Sequence, residues 1–426
     1  AAHANEDAEP FVVIQAGRVI TVTGEELVGA EIVLADGKIR LVGQKLDYPK
    51  SSRVIDARRE VVMPGMVLPR TRWQLSNYSR SGIHADRGAG KEVYLDRIDF
   101  SPLLEAGFTT VCFYPGGTGI PGTGAVFRTA GDQAIRELGP GYVRITLSSP
   151  ARDKKVLRDA ISRAKKEIEK VEKARKEWEE KRKKAEQEDK EKPKETPKGE
   201  EQPDKEEDKE DGEEDKGGSS AKPDDKEKPA DSKEGDADAK EADKSDTFTP
   251  PKIDPAVLPM VQWLRKQDEA PPLLFELSRA SDLHHLDQVL ETAPELPAAT
   301  LYLSGGTASD YHQIVEDLAA RKATALVQPH IGNLPNTVTR YNLAAELELS
   351  DCRVVLMPSS DSATGFEVFR SRVAEVVRAG LPRAAALQAI TLRPAEMLGI
   401  ESRLGSIDKG KDADLLFLDG DPLDPL

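Results

Sequence analysis

Aromatic residues make up only 5% of the 426-residue chain, which holds two cysteines and six histidines. Two cysteines cannot build a disulfide framework. Cys112 and Cys352 each sit inside an apolar, strand-like run, as small buried hydrophobes do. No apolar run approaches the roughly 18 residues of a membrane-spanning helix, so no span is expected. Basic residues are also in deficit, with 61 Lys and Arg against 76 Asp and Glu and a formal net charge of −15. Such a surface argues against nucleic acid as a partner, because phosphate binding needs Lys and Arg clustered on a folded face.

The middle of the chain lacks large apolar residues until Phe248. Residues 185–249 are almost entirely Lys, Glu, Asp, Pro, Gly, Ser and Ala. This stretch cannot bury enough apolar area to offset its conformational entropy, and a disordered, mixed-charge spacer is expected. Residues 1–10 are also polar and read as a disordered N-terminus. Ala2-His3-Ala4 has the small-residue spacing of a signal-peptidase site, which points to an exported chain of the periplasm or cell envelope, with a cytoplasmic chain as the alternative.

What is present is ordered and periodic. Residues 11–63 contain short β-branched runs with turn signals between them, and Asp36-Gly37 is a strong hairpin signal. From residue 100 to 147, strand and helix patterns alternate, including Thr109–Tyr114, a helix-like AGDQAIRELG and Tyr142–Leu147. Residues 152–182 carry one apolar stripe (Leu157, Ile161, Ala164, Ile168, Val171, Trp178) and predict a long helix. Four strand–helix repeats follow residue 254. Their strands begin at Leu273, Thr300, Ala323 and Arg353, and their helices lie near 281–292, 309–320, 337–348 and 365–379. Strands that are apolar throughout are covered on both faces, as in a (β/α) barrel.

Two segments carry a specific resemblance: Gly37–Val67, ending SSRVIDARREVVMPGMV, and Ala385–Leu423, containing ITLRPAEMLGI and GKDADLLFLDGDPL. Together they resemble the amidohydrolase superfamily, close to imidazolonepropionase-like and related cyclic-amide hydrolases. The resemblance implies an α/β fold, a (β/α)8 TIM-like barrel (64–184 and 250–402) beside a small composite β-sandwich (11–63 plus 403–426). The activity it implies is metal-dependent hydrolysis of non-peptide C–N bonds. Asp412 and Asp414 read as scaffold within this motif.

The resemblance also implies a first barrel strand that ends in two metal-binding histidines one residue apart. Here the run reads PGMVLPRTRW, with Arg70 and Arg72 in those positions. Arginine stays protonated and offers no lone pair to a cation. The strand near Leu147 leads into Ser148-Ser149 without a bridging lysine or glutamate. LLFEL offers Glu276 where a histidine is expected, and the next strand ends in Ser304-Gly305-Gly306. Asp361 matches the family's aspartate, a metal ligand or general base, and can equally be a helix cap or a relic. His284, His285 and His312 fall on outer helices and His84 in a polar loop. His330 alone follows a barrel strand. The glycine-rich PGGTGIPGTGA lacks the lysine of a phosphate loop and reads as a barrel-mouth loop that allows close backbone approach.

Three functions compete on this reading. One is a catalytically silent amidohydrolase-like domain that binds a small molecule, with no cofactor, in which Arg70 and Arg72 clamp an anion against Asp361 or Glu276. The second is an active hydrolase with an atypical or absent metal, zinc or another divalent ion if the family chemistry is retained. The third is the non-catalytic first half of a tandem amidohydrolase, with a partner domain or a second copy completing a homo-oligomer.

Overall fold

The computed structural model describes residues 11–131, 136–148, 150–191, 247–297, 299–305 and 310–424. The expected disordered N-terminus, most of the charged insert (192–246) and residues 132–135 of the expected helix AGDQAIRELG lie outside them. The chain divides into two compact units, residues 1–169 with 252–426, and residues 170–251.

In the larger unit the two ends of the chain share one sheet. Strands β1 (Val12–Val19), β2 (Leu27–Ala35), β3 (Lys38–Gly43) and β4 (Arg53–Pro64) are joined by the last strand, which lies antiparallel to β4 at Leu415–Leu418. The expected turn at Asp36-Gly37 links β2 to β3, with both residues at positive φ (53° and 68°) as a type I′ turn needs. The composite unit is thus a single five-stranded sheet among the described residues, where a sandwich was expected.

Asp412 and Asp414 are the anchors of this sheet. Asp412 accepts from Lys38 (3.1 Å), Arg403 (3.0 Å) and Arg128, and Asp414 accepts from Arg128 Nε at 3.0 Å. Arg128 ends a barrel strand, so the two aspartates tie the composite sheet to the barrel. Burial opposes the charge of Asp412, and these cations still hold its carboxyl below the usual value.

The barrel sheet has eight strands in the order β5 (Met66–Thr71), β7 (Phe108–Phe113), β9 (Gly122–Arg128), β10 (Glu137–Thr146), β11 (Leu273–Leu277), β12 (Thr300–Leu303), β13 (Thr324–Val327) and β16 (Arg353–Leu356). Each contributes to one inner apolar cluster: Val67, Cys112, Val126, Tyr142, Leu274, Tyr302, Leu326 and Val355. A sheet whose every strand feeds one core is curled around it, in the manner of a TIM-like barrel interior. Ala395, Met397 and Leu398, in and just after a helix at Leu392–Met397, join the same cluster, as do Met357, Ile400 and Leu404.

The repeat is less regular than the sequence implies. The glycine-rich run is not a loop: it forms β8 (Gly116–Ile120), which pairs in parallel with β6 (Ser79–Ile83), and β9, which enters the barrel antiparallel to both neighbours. The helix expected at 337–348 starts at Leu343, because Ile331–Asn333 and Arg340–Asn342 form a hairpin first. The long helix runs over Pro150–Glu191, past the expected limit of 182 and into the span assigned to the insert. Within the second unit, Trp178 from this helix and Phe248 pack with ring centroids 5.8 Å apart. No helix among the described residues is long and apolar enough to cross a membrane. Cys112 and Cys352 are buried free thiols, and burial raises both, Cys352 to about 11.

Gly65, between β4 and β5, marks where the composite sheet hands over to the barrel. Its N–H donates to the Asp414 carbonyl at 2.8 Å, and a Cβ there would lie 1.9 Å from Thr109 Oγ1. Overpacking of this kind costs roughly 1–3 kcal/mol. Gly65→Ala is therefore expected to lower unfolding free energy by about that amount in urea titration, with partial recovery in Gly65→Ala/Thr109→Gly.

Candidate functional site

Charged side chains enter the barrel at the carboxyl ends of its strands, the face where barrels carry their sites. Arg70 ends β5, Arg144 lies on β10 and Glu276 on β11. The two arginines converge on one oxygen of Glu276. Arg144 donates to Glu276 Oε2 from Nε at 2.9 Å and approaches it with Nη2 at 2.8 Å, and Arg70 Nη2 donates to the same oxygen at 3.3 Å. Arg70 and Arg144 are only 9% and 7% exposed. Arg144 Nη1 also donates to the carbonyls of Pro115 (3.0 Å) and Gly117 (2.8 Å).

Aromatic rings line the same space. The Arg70 guanidinium lies 3.7 Å from the Tyr114 ring centroid and 4.5 Å from that of Tyr302, and Arg144 lies 5.0 Å from Tyr114. Cation–π contacts strengthen when desolvated, so the rings replace part of the hydration that the guanidinium groups lose. Arg70 Nε and the Tyr142 hydroxyl are buried without a hydrogen-bond partner. Burial works against the Arg70 charge, yet Glu276 holds its pKa above the usual value. Burial likewise pushes Glu276 up, but Arg70 and Arg144 outweigh it and hold the carboxyl below its usual value.

Arg72 does not join this cluster. It lies just past Thr71, the last residue of β5, and its side chain donates to the carbonyls of Tyr114 (2.7 Å), Ser76 and Tyr78 and pairs with Glu92 at 3.3 Å. The expected clamp of Arg70 with Arg72 is replaced by Arg70 with Arg144. Arg144 was missed by sequence reasoning, although its signal was present as a lone charge in the apolar run YVRITL, beside a strand with a lone Glu276.

Asp361 follows β16 and is not a helix cap, a role taken by Ser362, whose side chain accepts from Gly365 N. Its carboxylate accepts instead from Thr71 Oγ1 (2.8 Å) and Arg72 N (2.9 Å), at the end of β5. β5 and β16 are the two outer strands of the barrel sheet. Asp361 therefore links the first and last strands across the seam. His330 is exposed and lines a cavity of about 70 Å³ with His312, Gln328 and Tyr341. His312 was expected on the outer helical layer. It lies in a 3-10 turn (Tyr311–Ile314) with its ring 6.1 Å from Tyr341.

The donor chemistry does not fit a metal. Glu276 is already engaged by two cations, and a divalent ion beside Arg70 and Arg144 would meet like charge with no imidazole to bind it. Among the described residues, no three His, Cys, Asp or Glu side chains are grouped to hold an ion.

The amidohydrolase family model matches residues 308–426. No curated protein matches. Among solved structures, an amidohydrolase from Thermotoga maritima MSB8 is similar over 97% of this chain and 95% of its own, with TM-score 0.66 and 19% identity. A zinc-bound adenosine deaminase from Xanthomonas campestris covers 96% of this chain and 84% of its own at TM-score 0.45 and 14% identity. The family match covers the C-terminal part of the chain, and the likeness to the Thermotoga maritima protein is one of fold.

Glu276 sets a pH dependence. Its carboxyl is depressed in the folded state, so the stability it contributes is full above the unfolded value of about 4.3 and is lost as pH falls through the lower folded value. Glu276→Gln strands two buried guanidinium groups and is expected to cost about 3–5 kcal/mol at neutral pH. It should also shrink the acid-side loss of stability. Denaturant titrations at about pH 7 and about pH 3 check both expectations.

Proposed function

We propose that this amidohydrolase-like chain is a catalytically silent member of its superfamily, serving in binding rather than hydrolysis. The likeness supports a hydrolase in general terms. The Arg70–Glu276–Arg144 cluster supports the finer reading. It fills the strand ends where the resemblance implies a metal, and it uses the Glu276 carboxylate as its own counter-ion. To ligate a metal, Glu276 would have to leave both guanidinium groups unpaired, at a cost of about 3–5 kcal/mol before any repulsion between the cations is counted. Asp361, the one retained family residue, has its carboxylate committed to closing the seam.

The experiment is metal analysis of the purified full chain, with thermal unfolding before and after chelation. The expected outcome is zinc, manganese and iron far below one ion per chain, with no change in Tm on adding EDTA. Near-stoichiometric metal whose removal lowers Tm would overturn the proposal.

A further inference from the structure

Three glycines of the run Gly116–Gly122 bear a constraint unrelated to the barrel core. A Cβ on Gly116 would lie 2.4 Å from the Tyr78 carbonyl oxygen, on Gly117 1.5 Å from that of Arg80, and on Gly122 2.2 Å from that of Arg87. Only residues without a side chain allow these approaches. Pairing of β6 with β8, and a 2.8 Å bond from Thr123 N to the Arg87 carbonyl, complete the arrangement. The glycine run thus seats the backbones of Tyr78, Arg80 and Arg87.

The side chains of those same three residues meet. Arg80 Nε and Arg87 Nη1 both donate to the Tyr78 hydroxyl, Arg87 at 2.7 Å, and their guanidinium carbons lie 5.5 and 4.8 Å from its ring centroid. The bond from Arg87, with that from Arg80, holds the phenol below its usual pKa. Among the described residues neither arginine pairs with a carboxylate, in a chain where acidic side chains outnumber basic ones by 76 to 61. By contrast Arg18, Arg70, Arg72, Arg144 and Arg393 each have an acidic partner.

The cluster lines a cleft of about 550 Å³ together with His84 and Lys91. Asp86 and Glu92 also border it, and Glu92 is paired with Arg72. Ligand sites usually occupy ~300–1,000 Å³. A neutral phenol is a weak acceptor for two charged donors. An oxyanion in its place makes charge-assisted bonds of roughly twice the strength, and the arginine fork matches its geometry.

We propose that this cleft binds the oxyanion of a small molecule, a phosphate or carboxylate group, on Arg80 and Arg87, with the Tyr78 hydroxyl holding the two guanidinium groups in place when the cleft is empty. The proposal does not depend on whether the barrel interior is silent.

Calorimetric titration of the full chain with inorganic phosphate, and separately with citrate, against sodium chloride at matched ionic strength tests it. Saturable heat from phosphate alone identifies a phosphate site, and from citrate alone a carboxylate site. Saturable heat from both identifies a general oxyanion site. Arg80→Gln and Arg87→Gln, checked for unchanged far-ultraviolet circular dichroism, should each weaken binding about tenfold or more. Absence of saturable heat from either anion at millimolar concentration would overturn the proposal, as would undiminished binding in the double variant.

Discussion

Glu276 sits between two guanidinium groups at the carboxyl ends of the barrel strands, and the chemistry of the interior follows from that placement. A buried carboxylate flanked by two cations is a counter-ion before it can be anything else. The surrounding structure accommodates it: Tyr114 and Tyr302 face the guanidinium of Arg70, and the carbonyls of Pro115 and Gly117 accept from Arg144. Below this layer the barrel is filled by apolar side chains from all eight strands. Above it, Asp361 spans the seam between β5 and β16. The same strand ends that could cradle a metal with other residues thus hold an internal salt cluster.

Much of the fold was legible because burial leaves a simple trace. Strands covered on both faces read as unbroken apolar runs, and those beginning at Leu273, Thr300 and Arg353 lie where the pattern put them. The joining of the chain's two ends was legible only through the resemblance, since no local pattern reveals that Leu415–Leu418 pairs with Val61–Pro64. The glycine run misled because high glycine content signals both a loop and a strand under close backbone contact. Its neighbours, 37 residues apart in the case of Arg80 and Gly117, cannot be inferred from spacing.

The site was half legible. Replacement of imidazole by guanidinium at residues 70 and 72 is a statement about lone pairs, and it needed no coordinates. The strand pattern treats both arginines alike, since residues two apart share a face, and Arg72 leaves the cluster because it lies past the end of β5 and pairs with Glu92. Arg144 was hidden because one charge in an apolar strand has no meaning until its partner on the neighbouring strand is known. The role of Asp361 also depends on a contact with residues 290 positions away. His330 follows its strand as expected, but the chain turns there into a hairpin and leaves the ring exposed.

The interior cluster holds arginines paired with Glu276, the cleft beside β6 holds arginines without an acidic partner among the described residues, and the glycine run touches both, through Gly117 O on Arg144 and through the backbones it seats. The central claim concerns the paired ones. A crystal structure of the full chain soaked in zinc, with anomalous diffraction recorded at the zinc edge, addresses it directly. The account predicts Glu276 still bridging Arg70 and Arg144, with no anomalous peak at coordinating distance from Glu276 or Asp361. A zinc ion bound by either carboxylate, with Arg70 displaced, would contradict it.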